Sequence, residues 1–344
     1  MIKLIQILLY FAFFSIGTIT FGNTNGYDHD NKGSGSEPSG NFNLETSAAA
    51  CVVSYSSVVV SNCNGCSSTN DGSICVTISY TGVPLNNQFD LSINNGLTWT
   101  LGSAGTSTLC KNNLAAGDYK LIIRDRFGCT TTYHDNPVTI EYNICLPDAN
   151  FKALLVSDTL INTNRDAEIQ RSEALAFTGE IDAANASIAD LTGLEEFTGI
   201  TQFSCIGNPA ITQIDVSKNI EVDRVYCSWC SIYELDVSKN TKIKYINCND
   251  NLLADLDLSN NPLLSSLQCG NNQIDSLSLV NNPLLETFNC ESNLLEVLDL
   301  SANPALEYIK CSDNLLNYLN LKNGNNTIIT TLDCTLNPDL TCVL

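Results

Sequence analysis

The stretch that decides the fold is Ile246-Asn-Cys-Asn-Asp-Asn-Leu-Leu-Ala-Asp-Leu-Asp-Leu-Ser-Asn-Asn-Pro-Leu-Leu-Ser-Ser266, because the residues after it nearly repeat it. Aligning the cysteines from Ile200 onward gives Cys205, Cys227, Cys248, Cys269, Cys290, Cys311 and Cys334, in steps of 22, 21, 21, 21, 21 and 23 residues. Two residues before each lies a large apolar side chain: Phe203, Val225, Ile246, Leu267, Phe288, Ile309 and Leu332. Three residues after each come Asn208, Cys230, Asn251, Asn272, Asn293, Asn314 and Asn337. One repeat is too short to bury its own apolar face, so the pattern predicts a solenoid of stacked coils. Coils stack ~4.8 Å apart through a parallel sheet. The apolar-x-Cys triplet is the expected strand, with its two ends turned inward and its middle residue outward. The asparagine falls where the chain leaves the strand. There its amide can satisfy buried backbone groups and form a ladder through the stack. Cys230, standing in for asparagine, removes part of that ladder.

The unit resembles the leucine-rich repeat, with cysteine at the second core position. It is similar to the internalin-like repeats of bacterial surface proteins, especially those of flavobacteria. The repeat cysteines read as buried free thiols. Neighbours in register point the same way at the coil spacing, whereas a disulfide needs Cβ atoms ~3.8 Å apart with differing vectors. A metal-binding row would need convergent ligands, which a parallel row does not offer. Cys227-Ser-Trp-Cys230 has the spacing of a redox pair but lacks the helix start that activates one. Cys334 and Cys342 either close the C-terminal end with a disulfide or stay free.

Upstream, residues 181–200 read as an irregular first coil, with Asn185, Ile188, Leu191, Leu194 and Phe197 near repeat positions. Residues 146–180 read as a helical cap over the open apolar end. A first helix is expected over Pro147 to Leu155, with Pro147 at an early helical position, and a second over Ser172 to Ala176. Between them, residues 162–173 place oxygen side chains at the loop positions of an EF-hand. Asn162, Asn164, Asp166, Glu168 and Glu173 are therefore candidate calcium ligands. Asn162 in place of Asp, Ala167 in place of Gly and the added charge of Arg165 depart from that motif. The other reading is a loop kept as a structural cap.

Residues 47–145 read as all-β. Runs at Val52 to Val60, Ser73 to Tyr80, Phe89 to Ile93, Tyr119 to Arg124 and Val138 to Tyr142 are separated by turn clusters, which argues for a small antiparallel sandwich. Seven cysteines lie there (Cys51, Cys63, Cys66, Cys75, Cys110, Cys129 and Cys145), and some are expected to pair. Asn70-Asp-Gly-Ser-Ile74, Asn95-Gly-Leu-Thr-Trp99, Asn113-Leu-Ala-Ala-Gly-Asp-Tyr119 and Arg124-Asp-Arg-Phe-Gly-Cys129 form an ordered series over roughly residues 60–142. The series resembles the SprB-type repeat of Bacteroidetes gliding-motility adhesins, an immunoglobulin-like module. The resemblance implies a surface spacer or adhesive module.

Residues 1–22 have the basic start, apolar run and small-residue end of a secretory signal peptide. Residues 23–46, rich in Gly, Ser and Asn, read as a flexible linker. No later stretch is long and apolar enough to span a membrane. A net charge of -21 makes nucleic acid a poor partner.

The fold class expected is therefore mixed: an Ig-like β-sandwich, a short helical cap and a parallel-β leucine-rich-repeat solenoid. Ser204, Tyr226, Asn247, Gln268, Asn289, Lys310 and Asp333 should face outward from the sheet, flanked by Tyr245, Tyr308 and Trp229. Repeat proteins bind partners on such extended faces. The candidate ligand-binding set is Tyr226, Trp229, Tyr245, Asn247, Gln268, Asn289, Tyr308 and Lys310. Asp215, Asp236, Asp257 and Asp299 recur once per coil and are expected to bond turn amides locally. With His29 and His134 its only histidines and no nucleophile or metalloprotease motif, the chain is not expected to be an enzyme. The functional expectation is a secreted or surface-displayed adhesion protein, monomeric, recognising an extracellular protein or glycan. The alternatives are an envelope or matrix component without a specific ligand, and an accessory binding region of a larger exported protein.

Overall fold

A computed structural model describes residues 53–64, 66, 70–80, 88–126 and 128–341. The expected signal peptide, linker and Cys342 lie outside the described residues.

Eight three-residue strands form one parallel sheet in chain order: Glu180–Asp182, Gln202–Ser204, Arg224–Tyr226, Tyr245–Asn247, Ser266–Gln268, Thr287–Asn289, Tyr308–Lys310 and Thr331–Asp333. Each repeat adds one strand, and the register follows the repeat: Val225 pairs with Ile246, Ile246 with Leu267 and Leu267 with Phe288. Each strand begins and ends one residue earlier than the apolar-x-Cys triplet. The apolar residue is therefore central, and both of its neighbours turn outward. The cysteine follows the strand and is still buried from Cys205 through Cys311. Its amide continues the ladder, as when Cys248 N–H donates to the Gln268 carbonyl at 2.8 Å. All seven ladder cysteines carry free thiols. Burial pushes the Cys248 and Cys311 thiols up to about 12.

The asparagine ladder takes the expected form. Asn251 Nδ2 donates to the carbonyls of Cys227 (2.8 Å) and Cys248 (3.1 Å), and its Oδ1 accepts from Ile232 N–H at 3.0 Å. Each such asparagine thus binds its own turn to the preceding coil. Cys230 keeps a fraction of this, donating its thiol to the Cys205 carbonyl at 3.2 Å. A second ladder, not anticipated, runs through Asn219, Asn240, Asn261, Asn282 and Asn303, all fully buried. Asn261 Nδ2, for example, donates to Val237 O (3.1 Å) and Asn240 O (3.0 Å) of the preceding coil. The aspartate row acts locally. Asp215, Asp236, Asp257 and Asp299 accept from the amides of Ser217, Ser238, Ser259 and Ser301. Those serine bonds hold the carboxyls below their ordinary range.

The first helix is Ala149–Ser157, capped by Asp148. Pro147 lies one residue before that cap, outside the helix, because the aspartate carboxylate takes the capping role. Asp148 Oδ1 accepts from the amides of Asn150 and Phe151, and Oδ2 from those of Ala189 and Asp190. One side chain therefore fixes the helix start to the first coil. Phe151 and Leu155 bury on the solenoid core, which runs continuously from Ile144 to Leu321. The second helix, Arg171–Ala176, is closed by reciprocal bonds between Gln170 and Glu173.

The N-terminal region forms small antiparallel sheets. One joins Val53–Ser61, Gly72–Tyr80 and Thr108–Leu114. A second, in the order Thr100–Leu101, Phe89–Ser92, Ile122–Asp125, Thr130–Thr132, has four strands, and Gly117–Tyr119 pairs with Val138–Ile140. They share a core that includes Phe89, Leu91, Ile74 and Ile123. Thr108–Leu114 has no β-like pattern in its Cys-Lys-Asn-Asn centre. It pairs along Gly72–Tyr80, where a Cys75–Cys110 disulfide joins the two strands. A Cys66–Cys145 disulfide closes a second connection, Cys129 is also disulfide-bonded, and Cys63 is free and buried.

Candidate functional site

Because the apolar residue is central, each strand presents two outward residues, and the register stacks them into two rows. One row runs Gln202, Arg224, Tyr245, Ser266, Thr287, Tyr308. The other runs Ser204, Tyr226, Asn247, Gln268, Asn289, Lys310. Tyr226, Tyr245, Asn247, Gln268, Tyr308 and Lys310 thus lie together on one face. Asn289 lies in the same row but is only 6% exposed, with its Oδ1 accepting from Glu291 N–H at 2.9 Å.

The rows concentrate aromatic and cationic groups at two places. Arg224 lies 5.3 Å over the Tyr245 ring, beside Tyr226. Lys310 Nζ lies 5.7 Å from the Tyr308 ring. Hydrogen bonding to Tyr308 raises the lysine above its ordinary value. Tyr245 and Tyr308 are three strand steps apart, ~14 Å at the usual spacing. The coils between them carry Ser266, Gln268, Thr287 and Asn289. Arg224 was missing from the sequence-based set. The signal that identifies it is its position just before an apolar strand centre, in register with Tyr245.

Trp229 stands in the turn after the strand rather than in either row. Its φ is 59° and it is 63% exposed. The same left-handed position in other coils holds Gly207, Asp250, Asn271, Ser292, Asp313 and, in the last coil, Leu336. Glycine and short polar residues suit that conformation, and a bulky aromatic does not. An indole held there, like the likewise exposed Leu336 of the last coil, gains little from burial to offset the strain. Beside it, the Cys230 thiol donates to the Cys205 carbonyl at 3.2 Å. Contact with the Cys205 thiol pulls Cys230 below the ordinary thiol value, and the same contact, with burial, pushes Cys205 up.

The five candidate calcium ligands hydrogen-bond within their loop and to its neighbours. Asn164 and Asp166 meet Gln170: Asn164 Nδ2 donates to Asp166 Oδ2 at 3.1 Å, and Gln170 Nε2 donates to the same oxygen at 3.0 Å. Asn162 donates to the carbonyls of Val156 and Asp166, and its Oδ1 is buried without a partner. Glu168 pairs with Lys152 at 2.6 Å. Glu173 accepts from Thr163, Asn164 and Gln170. The left-handed turn falls at Arg165, φ 61°, and not at Ala167. Among the described residues no helix is long and apolar enough to cross a membrane.

No known protein-family profile matches the chain. Internalin J of Listeria monocytogenes is 35% identical over 81 residues, covering 24% of this chain and 8% of that protein. The match therefore spans a small part of that relative's length. Among solved structures, a functional domain of InlJ from Listeria monocytogenes, described as including a cysteine ladder, is 28% identical with a TM-score of 0.37. The likeness covers 57% of this chain and 54% of that one. Listeria monocytogenes InlP is 20% identical with a TM-score of 0.37, covering 52% and 61% of the two chains. The 21-residue period, the parallel sheet and the asparagine ladder make the repeat region of this chain a leucine-rich-repeat solenoid, similar over 81 residues to internalin J.

Proposed function

We propose that the chain is a secreted or cell-surface adhesion protein that recognises an extracellular protein or glycan through the outward rows of the repeat sheet. The observation that carries this reading is the pairing of aromatic rings with cations at Arg224, Tyr226 and Tyr245, repeated at Tyr308 and Lys310. Tyr, Trp and Arg are the residues that most often anchor protein interfaces, and exposed rings beside amides also suit stacking on sugars. The strained, exposed Trp229 borders the first cluster and extends it. On this reading the N-terminal β-region, with its resemblance to SprB-type Ig-like repeats, spaces the recognition face from its neighbours, and the protein acts as a monomer.

Calcium at residues 162–173 is a separate part of the proposal, supported by the EF-hand-like spacing of oxygen side chains and by Asn164, Asp166 and Gln170 meeting in that loop. At loop position 7 Glu168 would ligate through its backbone carbonyl, so its side-chain pair with Lys152 can remain. The test of both parts is a screen of residues 23–344 against glycan and extracellular-protein arrays, with calcium and with chelator. A saturable hit lost on Tyr226→Ala with Trp229→Ala supports the recognition face. Absence of any saturable hit in either condition favours an envelope or matrix component instead.

A further inference from the structure

Each coil also has an outer segment, remote in sequence from the recognition rows, where short strands pair: Gln213–Asp215 with Glu234–Asp236, and Val297–Asp299 with Tyr318–Asn320. Between these pairs, residues 255–257 and 276–278 belong to no strand. The repeat itself changes at that place. Four other coils carry Asp and, two residues on, Ser, joined by the turn bond described above, and a fifth makes the same bond from Lys322 N–H to Asn320 Oδ1. At the equivalent positions this coil has Ser278 and Val280, and no such bond is present among the described residues.

The consequence is a groove of about 850 Å³. Its carboxylates are Asp255, Asp257, Asp275 and Glu296, and among the described residues no Lys, Arg or His lines it. Its apolar lining includes Leu277, Val280 and Leu294. Val280 is 65% exposed where four other coils place serine, and Leu277 is less buried than its counterparts Leu235, Leu256 and Leu298. Apolar surface is thus uncovered at the place where the outer strand pairing stops.

We propose that this groove docks an extended segment of a partner protein that alternates apolar and Lys or Arg side chains. Charge complementarity selects that occupant: four carboxylates with no cation among them favour a basic segment. The valine and leucines match an apolar side chain at alternate positions of an extended peptide, and residues 255–257 and 276–278 offer backbone groups outside any ladder. A second copy of this chain fits poorly, because its net charge is -21. This surface is independent of the recognition rows.

The test uses the full mature chain and a fluorescein-labelled peptide of alternating lysine and valine, with glutamate replacing lysine in the control, read by fluorescence anisotropy at physiological salt. Asp255 and Asp275 are exposed and form no hydrogen bond or ion pair among the described residues, so Asp255→Lys with Asp275→Lys leaves the fold intact. The expected result is saturable binding of the lysine peptide only, weakened about tenfold or more by the double substitution. Tyr245→Ala leaves it unchanged, which separates this surface from the recognition rows. No saturable binding, equal binding of both peptides, or indifference to the double substitution overturns the proposal. So does self-association abolished by the double substitution, which would assign the groove to a second copy.

Discussion

Replacing Cys230 with asparagine should stabilise the protein. In the other coils the asparagine at this position makes two strong donor bonds to carbonyls of two coils and accepts one amide, as Asn251 does with Cys227, Cys248 and Ile232. Cys230 makes one thiol bond at 3.2 Å and a long contact to Ser228 O at 3.8 Å. A restored amide reaches the Cys205 carbonyl through a stronger donor and adds a donor bond to the Cys227 carbonyl. A net hydrogen bond is worth ~0.5–1.5 kcal/mol, so the gain should be about 1–2 kcal/mol. For a chain of this size that raises Tm by about 1.5–3 °C. Cys230→Asn should be compared with Asn272→Cys, which imposes the same defect on an intact coil and should lose a similar amount. Urea midpoints and thermal melts read both. A Cys230→Asn protein no more stable than wild type, or an Asn272→Cys protein unchanged, would refute the ladder reasoning.

Four further outcomes are expected. Asn261→Ala, in the second ladder, removes both bonds to the Val237 and Asn240 carbonyls, which keep only the backbone amides of Asn240 and Ile243, so urea denaturation should show a loss of about 1–3 kcal/mol for the two bonds. Asp148→Ala should cost about 1–2 kcal/mol, because the helix cap and the link to Ala189 and Asp190 go together. Burial acts against the charged form of Asp148, but four backbone amides hold its carboxyl below the ordinary value, so its share of stability is present above pH ~4 and lost on acidification. Cys248 and Cys311 titrate at about 12 when folded, against about 9 in the unfolded chain, so stability should fall as pH rises from ~9 toward 12. A flat alkaline stability profile would contradict their burial as neutral thiols. Excess calcium should raise Tm relative to chelator if residues 162–173 take the ion, and an unchanged Tm removes that site.

The period carried most of the fold. Seven registered cysteines led directly to coil number, in-register stacking and free thiols, because a stack fixes every coil by the same contacts. The one-residue offset of the strand was not legible: an apolar-x-Cys triplet with both ends buried fits a strand or a strand followed by an inward residue equally well. That offset hid Arg224, since it moved the residue before each apolar position onto the outward face. The second asparagine ladder was visible as a recurring Asn in the Ser-x-Asn segment, but an asparagine beside proline reads first as a turn residue. Only the structure shows Asn219, Asn240, Asn261, Asn282 and Asn303 fully buried. The groove too had a sequence signal, Ser278 and Val280 breaking the Asp-x-Ser rule, yet its meaning depends on which strands stop pairing there. Strands such as Thr108–Leu114 escaped because their side chains carry no alternation, and pairing plus a disulfide replaces the missing pattern.

Recognition through the repeat sheet is tested most directly by measuring Kd for a ligand recovered from the arrays with wild type, Arg224→Ala with Tyr245→Ala, and Asp255→Lys with Asp275→Lys. Loss of at least about tenfold in affinity for the Arg224 and Tyr245 protein, with Tm unchanged and the groove variant still binding, is the predicted result. Undiminished binding by the Arg224 and Tyr245 protein would contradict recognition through those rows.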